Sequence, residues 1–357
     1  MSDKRKHDDG PRLGTLESIP PPRNAHARRR VIRPALVVLL ILAGLWLLLK
    51  PESERLDVYR TIADIKFEDP ALARCISDTA EAHGWTDAGH FLSLRCNNPT
   101  GGGIRSLDGI EHFVVLTDLN LAFNEISDVS ALAGLPHLSQ LELSHNRIAN
   151  MPVFASATQL KRLELNYNRL DSLDWLTSEH FLVLESLSVA HNRIPDIASV
   201  VVLRDLRELN LRSNRVSGLA PVLQLSKLDM LDVGGNYVDS IEGIESLTNL
   251  RRLFLDKNRL TSVAGIDALQ NLEQLDIGYN SLDSIEGISS LFRLQRLDLR
   301  HTAIRNLDDI YVLGDLEQLE ISGNPDLECA SLLKAIVEFG ESAVLHDLNC
   351  PAPPKAP

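Results

Sequence analysis

Leu250-Arg251-Arg252-Leu253-Phe254-Leu255-Asp256-Lys257-Asn258-Arg259-Leu260 is one phrase of a pattern that recurs from Leu116 to Asn324. Its asparagine has counterparts at Asn124, Asn146, Asn168, Asn192, Asn214, Asn236 and Asn280, and Thr302 and Asn324 continue the row. Every step is 22 residues except Asn168 to Asn192, which is 24. A fixed period of this size marks units that cannot bury an apolar face alone and must stack on their neighbours. In L-x-x-L-x-L the leucines point inward, because a strand alternates sides, and successive strands pair in parallel on a concave face. The asparagine ends the strand and turns inward, where its amide satisfies backbone groups that would cost about 1–3 kcal/mol each if left unpaired. The ladder is therefore read as structural. Ile126, Val129, Leu132 and Leu135 supply apolar residues at every third position, which suits a 3₁₀-like convex side. Thr302, preceded by His301, departs from the row, and a weaker repeat is expected there.

Outward from the array, Asp69-Pro70 reads as a helix N-cap with a first-turn proline and Gly84 as its stop, with Leu72, Cys75, Ile76 and Thr79 on one face. Phe91 to Asn97 is a degenerate first repeat, followed by a glycine-rich loop at 98–103. Residues 69–103 are thus an N-terminal cap, and 104–324 are the repeat array. Residues 325–350 form a C-terminal cap, with a helix from Cys329 to Phe339 expected to turn Leu332, Leu333 and Ile336 inward, and a last strand at Val344 to Leu348. Residues 351–357 are a loose tail. Each cap holds two cysteines 21 residues apart, Cys75 with Cys96 and Cys329 with Cys350. Paired as disulfides they would tie each cap helix to the strand beside it; the alternatives are buried free thiols and, less favoured by the spacing, metal ligands.

Ahead of the array the composition changes. Residues 1–33 are polar and hold nine Lys/Arg against four Asp/Glu, which reads as a disordered basic tail. Residues 34–50 follow, uncharged until Lys50, and 51–68 form a linker. Sixteen residues span about 24 Å against a hydrocarbon core of about 30 Å, and beginning the helix at Val31 with Arg33 snorkelling closes most of the gap. A cleaved signal peptide is the alternative, opposed by the long polar lead and by the absence of a small-residue cleavage site. Read as an anchor, it leaves the N-terminus in the cytoplasm and the repeats outside, in the periplasm if the cell is Gram-negative. The rest of the chain holds 27 Lys/Arg against 45 Asp/Glu, and this acidic balance argues against a nucleic-acid backbone as partner, so no nucleic acid is expected.

Residues 104–324 resemble the 22-residue subclass of leucine-rich repeats found in bacterial internalins and in a eukaryotic regulator of a Ser/Thr phosphatase. The matched phrase is L-x-x-L-x-L-x-x-N-x-I-x-x-I-x-x-L-x-x-L, as in Leu116 to Leu135. The resemblance implies an α/β leucine-rich repeat solenoid with a parallel sheet on its concave face and helical caps. It also implies binding of protein partners through that face, with no shared reaction. No cell-wall sorting tail follows, which departs from internalins.

The outward position between the paired leucines reads Asn120, Glu142, Glu164, Ser188, Asn210, Asp232, Phe254, Asp276, Asp298 and Glu320. A row with six acids and no base favours a basic partner or is a solvated face that resists aggregation. Phe254 breaks it. With Met230 and Arg252 at the preceding outward position and Tyr279 near the edge, it has the composition of an interface hot spot, or is an isolated surface ring. Phe123, His145, Tyr167, His191, Tyr279 and His301 line the edge just before the asparagines, either as a second contact rim or packed on one another.

These readings point to a membrane-anchored scaffold that binds a protein partner, with Glu142, Glu164, Met230, Asp232, Arg252, Phe254, Asp276, Tyr279 and Asp298 as candidate contacts. The alternatives are an intracellular regulatory subunit of a phosphatase-like enzyme and a secreted or cell-surface adhesin or glycan binder. No hydrolase, zinc-protease or nucleotide-binding motif is present, so neither an enzyme nor a cofactor site is expected.

Overall fold

The computed structural model describes residues 60–98, 103–152, 157–177, 179–282 and 284–350. The expected tail at 1–33, the expected anchor at 34–50, the first half of the linker at 51–59 and residues 351–357 lie outside them. Among the described residues no helix is long and apolar enough to cross a membrane.

Each L-x-L core forms a short strand, and the strands follow one another across a single parallel sheet in sequence order. They are β1 (Ser93–Arg95), β2 (Asp118–Asn120), β3 (Gln140–Glu142), β4 (Arg162–Glu164), β5 (Ser186–Ser188), β6 (Glu208–Asn210), β7 (Met230–Asp232), β8 (Arg252–Phe254), β9 (Gln274–Asp276), β10 (Arg296–Asp298), β11 (Gln318–Glu320) and β12 (Val344–Leu345). Central leucines face each other in register, as Leu231, Leu253 and Leu275 do. Their side chains, with the leucines, isoleucines and valines of the far side, make one continuous buried core. Short 3₁₀ turns such as Ser130–Gly134, Ile244–Ser246 and Ile266–Ala268 return the chain along the convex side. The 24-residue step leaves Leu163 and Leu187 in register, so its two extra residues are absorbed away from the sheet. There Trp175 and Phe181 pack edge to face, centroids 5.4 Å apart.

The asparagine ladder is a repeating bond set. Asn146 accepts at Oδ1 from the Ile126 N–H at 3.0 Å and donates from Nδ2 to the carbonyls of Leu121 and Leu143 at 2.9 and 3.0 Å. Asn168, Asn192, Asn214, Asn236, Asn258 and Asn280 repeat the three bonds, each stitching its own turn to the one before. Asn124 and Asn324 close the row at its ends. Most are buried; Asn192 and Asn258 are half-buried. Thr302 is different. Its hydroxyl lies 3.0 Å from the Leu299 carbonyl and 2.9 Å from Asn324 Oδ1, sharing its single proton between these two acceptors, and it makes no bond to the preceding turn.

To turn the asparagine inward, the residue before it adopts the left-handed conformation. Phe123, His145, Tyr167, His191, Ser213, Lys257, Tyr279 and His301 all do so with φ between 49 and 59°, and glycine takes the place at Gly235 and Gly323. For a non-glycine residue this costs roughly 1–2 kcal/mol.

Helix α1 (Pro70–His83) covers the first turn, burying Leu72, Ile76 and Ala80, with Cys75 and Thr79 only half-buried. Asp69 caps it by accepting from the Ala71 and Leu72 N–H groups at 2.7 and 3.2 Å, and its second oxygen accepts from Arg105 and Ser106 of the array. Burial opposes ionisation of Asp69, but those four N–H bonds outweigh it and hold the carboxyl below its ordinary range. Trp85, Phe91 and Phe113 fill the space beneath in an edge-to-face cluster. Helix α2 (Cys329–Phe339) closes the far end. It buries Ser331, Leu332 and Ala335 and packs the half-buried Ile336 against the core, so Leu332 and Ile336 face inward as expected, while Leu333 is only half-buried. The Cys329–Cys350 disulfide and the Tyr311 hydroxyl, which donates to the Ser331 carbonyl at 2.9 Å, tie the start of this helix to its surroundings. Both cysteine pairs are disulfides, Cys75–Cys96 and Cys329–Cys350, joining each cap helix to the adjacent strand region. No free thiol remains.

Candidate binding face

The outward row has a structural duty that the sequence did not reveal. Where a strand ends, the N–H two residues past the outward position does not enter the parallel ladder and needs another acceptor. Glu142 accepts from Ser144 at 2.7 Å, Asp232 from Gly234 at 2.9 Å, Asp276 from Gly278 at 3.1 Å and Asp298 from Arg300 at 3.0 Å. Asn120, Asn210 and Glu320 do the same. The preference for Asp, Asn and Glu in this row thus follows partly from local turn chemistry.

Several of these acids also have internal cations. Arg212 forks onto Asp256 at 2.6 and 2.8 Å and touches Asp232 at 3.3 Å. Gly234 makes room for this contact, since a Cβ there would collide with both the guanidinium and the Asp256 carboxylate. Arg300 holds Asp298 at 2.5 Å, and Arg252 holds Glu208 at 3.1 Å and Asp229 at 3.4 Å. Arg162 lies 3.6 Å from Glu164 and 3.5 Å from Glu208.

Two carboxylates stay crowded. Asp276 has no ion-pair partner among the described residues, and burial, then the charges of Asp256 and Asp298, push it up to about 7. Glu164, in register with Glu142 on the neighbouring strand, is also pushed up to about 7, by burial and by its hydrogen bond and repulsion with Glu142. Burial likewise raises Asp232, against the opposing pull of the Gly234 N–H and Arg212.

Phe254 sits in register between Asp232 and Asp276 and is half-buried, so it is less bare than its strand position implied. Met230 pairs with Arg252 in the row beside it and is half-buried too. The structure therefore brings together Met230, Asp232, Arg252, Phe254 and Asp276. Glu142 and Glu164 form a separate group several strands away, and Asp298 is tied to Arg300. Tyr279 lies apart, on the edge, stacked on His301 at 4.5 Å with Lys257 and Arg300 over its ring.

Edge rings pack on one another. Phe123, His145, Tyr167 and His191 form a continuous stack with centroids 4.2, 4.2 and 4.0 Å apart, one ring per repeat. Stacking of this kind contributes about 0.5–1.5 kcal/mol per pair and offsets the left-handed backbone beneath each ring. Burial, with Arg212 and His145 nearby, lowers the pKa of His191.

The Arg212–Asp256 contact was missed in the sequence because its partners lie 44 residues apart. Its only signal was the rarity of arginine and aspartate at the second residue before the ladder asparagine.

Family profiles for leucine-rich repeats match residues 92–148, 158–216 and 248–290. Among solved structures, an internalin of Listeria monocytogenes superposes with a TM-score of 0.68 at 23% identity, covering 81% of this chain and 92% of that one. The functional domain of InlJ from the same organism gives 0.64 at 25% identity over 74% of this chain, which spans 56% of that chain. A leucine-rich repeat protein of Leptospira interrogans gives 0.56 at 23% identity over 69% and 70% of the two chains. No curated protein matched the sequence. The chain is a leucine-rich repeat protein, an open parallel-sheet solenoid with internalin-like structural neighbours.

Proposed function

We propose that the chain is a membrane-anchored scaffold whose concave face captures a protein partner that offers cationic side chains. In this reading residues 34–50 anchor the chain, the basic tail stays in the cytoplasm, and the capped array stands on the extracytoplasmic side. The two disulfides support an oxidising compartment and oppose an intracellular regulatory subunit. The observation that carries the partner class is Asp276: a half-buried carboxylate crowded by two others, without an ion pair among the described residues, and set in register beside Phe254. A lysine or arginine seated there relieves the repulsion while its methylene stem covers the ring. The edge rings do not favour a neutral sugar at this face, because their planes are taken up by one another.

Phe254→Asp should abolish capture of the partner from solubilised membranes; the protein should stay folded with a lower thermal midpoint, because the new carboxylate faces Asp232 and Asp276, and Phe254→Ser, which adds no charge, should also lose the partner. Retention of the partner by these variants removes the concave-face reading. A reporter fused after residue 357 tests the location separately: activity of a reporter that works only in the cytoplasm refutes the extracytoplasmic placement.

A further inference from the structure

One residue past the asparagine, the middle rungs of the ladder carry a column of arginines, Arg147, Arg169, Arg193, Arg215 and Arg259, with Tyr237 taking the place between the last two, while Glu125, Ser281 and Pro325 follow Asn124, Asn280 and Asn324. Backbone bonds lock their alignment, since the N–H of each donates to the preceding turn, as Arg169 does to Ile148, Arg193 to Leu170 and Arg215 to Ile194 at 2.8 to 2.9 Å. At about 4.8 Å per step in a parallel ladder, Arg147 to Arg259 covers about 24 Å. All five side chains are exposed. Arg147 pairs with Glu125, and Arg259 lies over the Tyr237 ring at 4.6 Å. Arg169, Arg193 and Arg215 have no ion pair among the described residues. Their nearest acids in sequence, Asp171 and Asp196, make none with them, and Asp196 instead accepts from the Ala198 N–H.

Three unpaired like charges in file repel one another, and nothing in the fold uses them. The residues next after them, Leu170, Ile194 and Val216, are buried, so each of these steps presents only its guanidinium. A linear polyanion is held by charge at regular intervals. The planar fork of arginine also matches a carboxylate two bonds at a time. We propose that the Arg169, Arg193 and Arg215 column binds an acidic polysaccharide, a chain whose sugar carboxylates recur along its length. The site lies outside the concave row and is independent of the partner bound there.

The test is titration of the full chain in detergent with oligogalacturonate at two salt concentrations, with neutral dextran and poly-L-glutamate alongside. Binding of oligogalacturonate but not dextran is expected. The triple variant Arg169→Gln, Arg193→Gln and Arg215→Gln should weaken it about tenfold or more and lower the slope of log affinity against log salt by about 2, at roughly 0.7–0.9 per lost contact. The matching triple lysine variant should keep the salt slope, because it keeps the charge, and bind more weakly, because it loses the fork. Phe254→Asp should change neither quantity. Absence of binding, an unaltered affinity in the triple Gln variant, or tighter binding of poly-L-glutamate than of oligogalacturonate each overturns the proposal.

Discussion

Thr302→Asn should stabilise the solenoid, and the size of the gain can be worked from its neighbours. At the preceding rung Asn280 accepts from the Leu260 N–H at 2.9 Å and donates to the Leu255 carbonyl of the previous turn at 3.0 Å. The equivalent partners of residue 302 are the Leu282 N–H and the Ile277 carbonyl. Threonine supplies neither bond, and its hydroxyl serves only Leu299 and Asn324. The Ile277 carbonyl still accepts from Asn280, so restoring a second bond there adds little. The Leu282 N–H belongs to a buried residue, and giving it an acceptor is worth about 1–2 kcal/mol. The asparagine must be ordered and the Thr302 bonds to Asn324 re-formed, which leaves a net gain of about 1 kcal/mol. For a domain of this size that corresponds to roughly 2–4 °C in the thermal midpoint. The assay is thermal unfolding followed by circular dichroism, with hydrogen exchange of the Leu282 amide as the local readout. An unchanged or lower midpoint together with unaltered exchange at Leu282 refutes the bond-for-bond interpretation of the ladder.

Mild acidification through about pH 7 should stabilise the fold at two carboxylates. Asp276 and Glu164 have folded pKa values raised to about 7, so each binds its proton more tightly folded than unfolded. Their stabilising contribution is complete below the ordinary carboxylate range and is lost as pH rises through about 7; Asp276→Asn with Glu164→Gln should flatten that part of a urea-unfolding pH series. Arg212→Met should cost about 3 kcal/mol in urea unfolding, because it strands the buried Asp256 carboxylate. Replacing Cys75 and Cys96 together by serine should lower stability by about 3 kcal/mol on a loop-entropy estimate, and wild-type protein treated with reductant should show a comparable loss.

Legibility followed the period. Strands, the asparagine ladder and the 3₁₀ returns could be read directly, because a 22-residue repeat fixes which side chains face inward at every turn. The outward acids were legible as a row but not as turn acceptors, since that role depends on where the Ser144, Gly234 and Gly278 N–H groups point. Stacking of Phe123, His145, Tyr167 and His191 was visible as one of two options, and the left-handed backbone beneath them decided it. On α2 the apolar spacing placed Leu332 and Ile336 inward correctly, while the burial of Ser331 and Ala335 was not legible because small residues carry little periodic signal. Arg169, Arg193 and Arg215 stood in plain view one position past the asparagines, yet only the missing ion pairs distinguish them from a solvated edge.

The concave face itself is tested most directly by photo-crosslinking in intact membranes, with a photoreactive residue at Met230, beside Phe254, or at Phe292, which lies exposed outside the strands. A discrete adduct from position 230 that disappears with Phe254→Asp, and none from position 292, is the expected result. Equal adducts from both positions, or an adduct at 230 that survives Phe254→Asp, would contradict capture of a partner through the concave face.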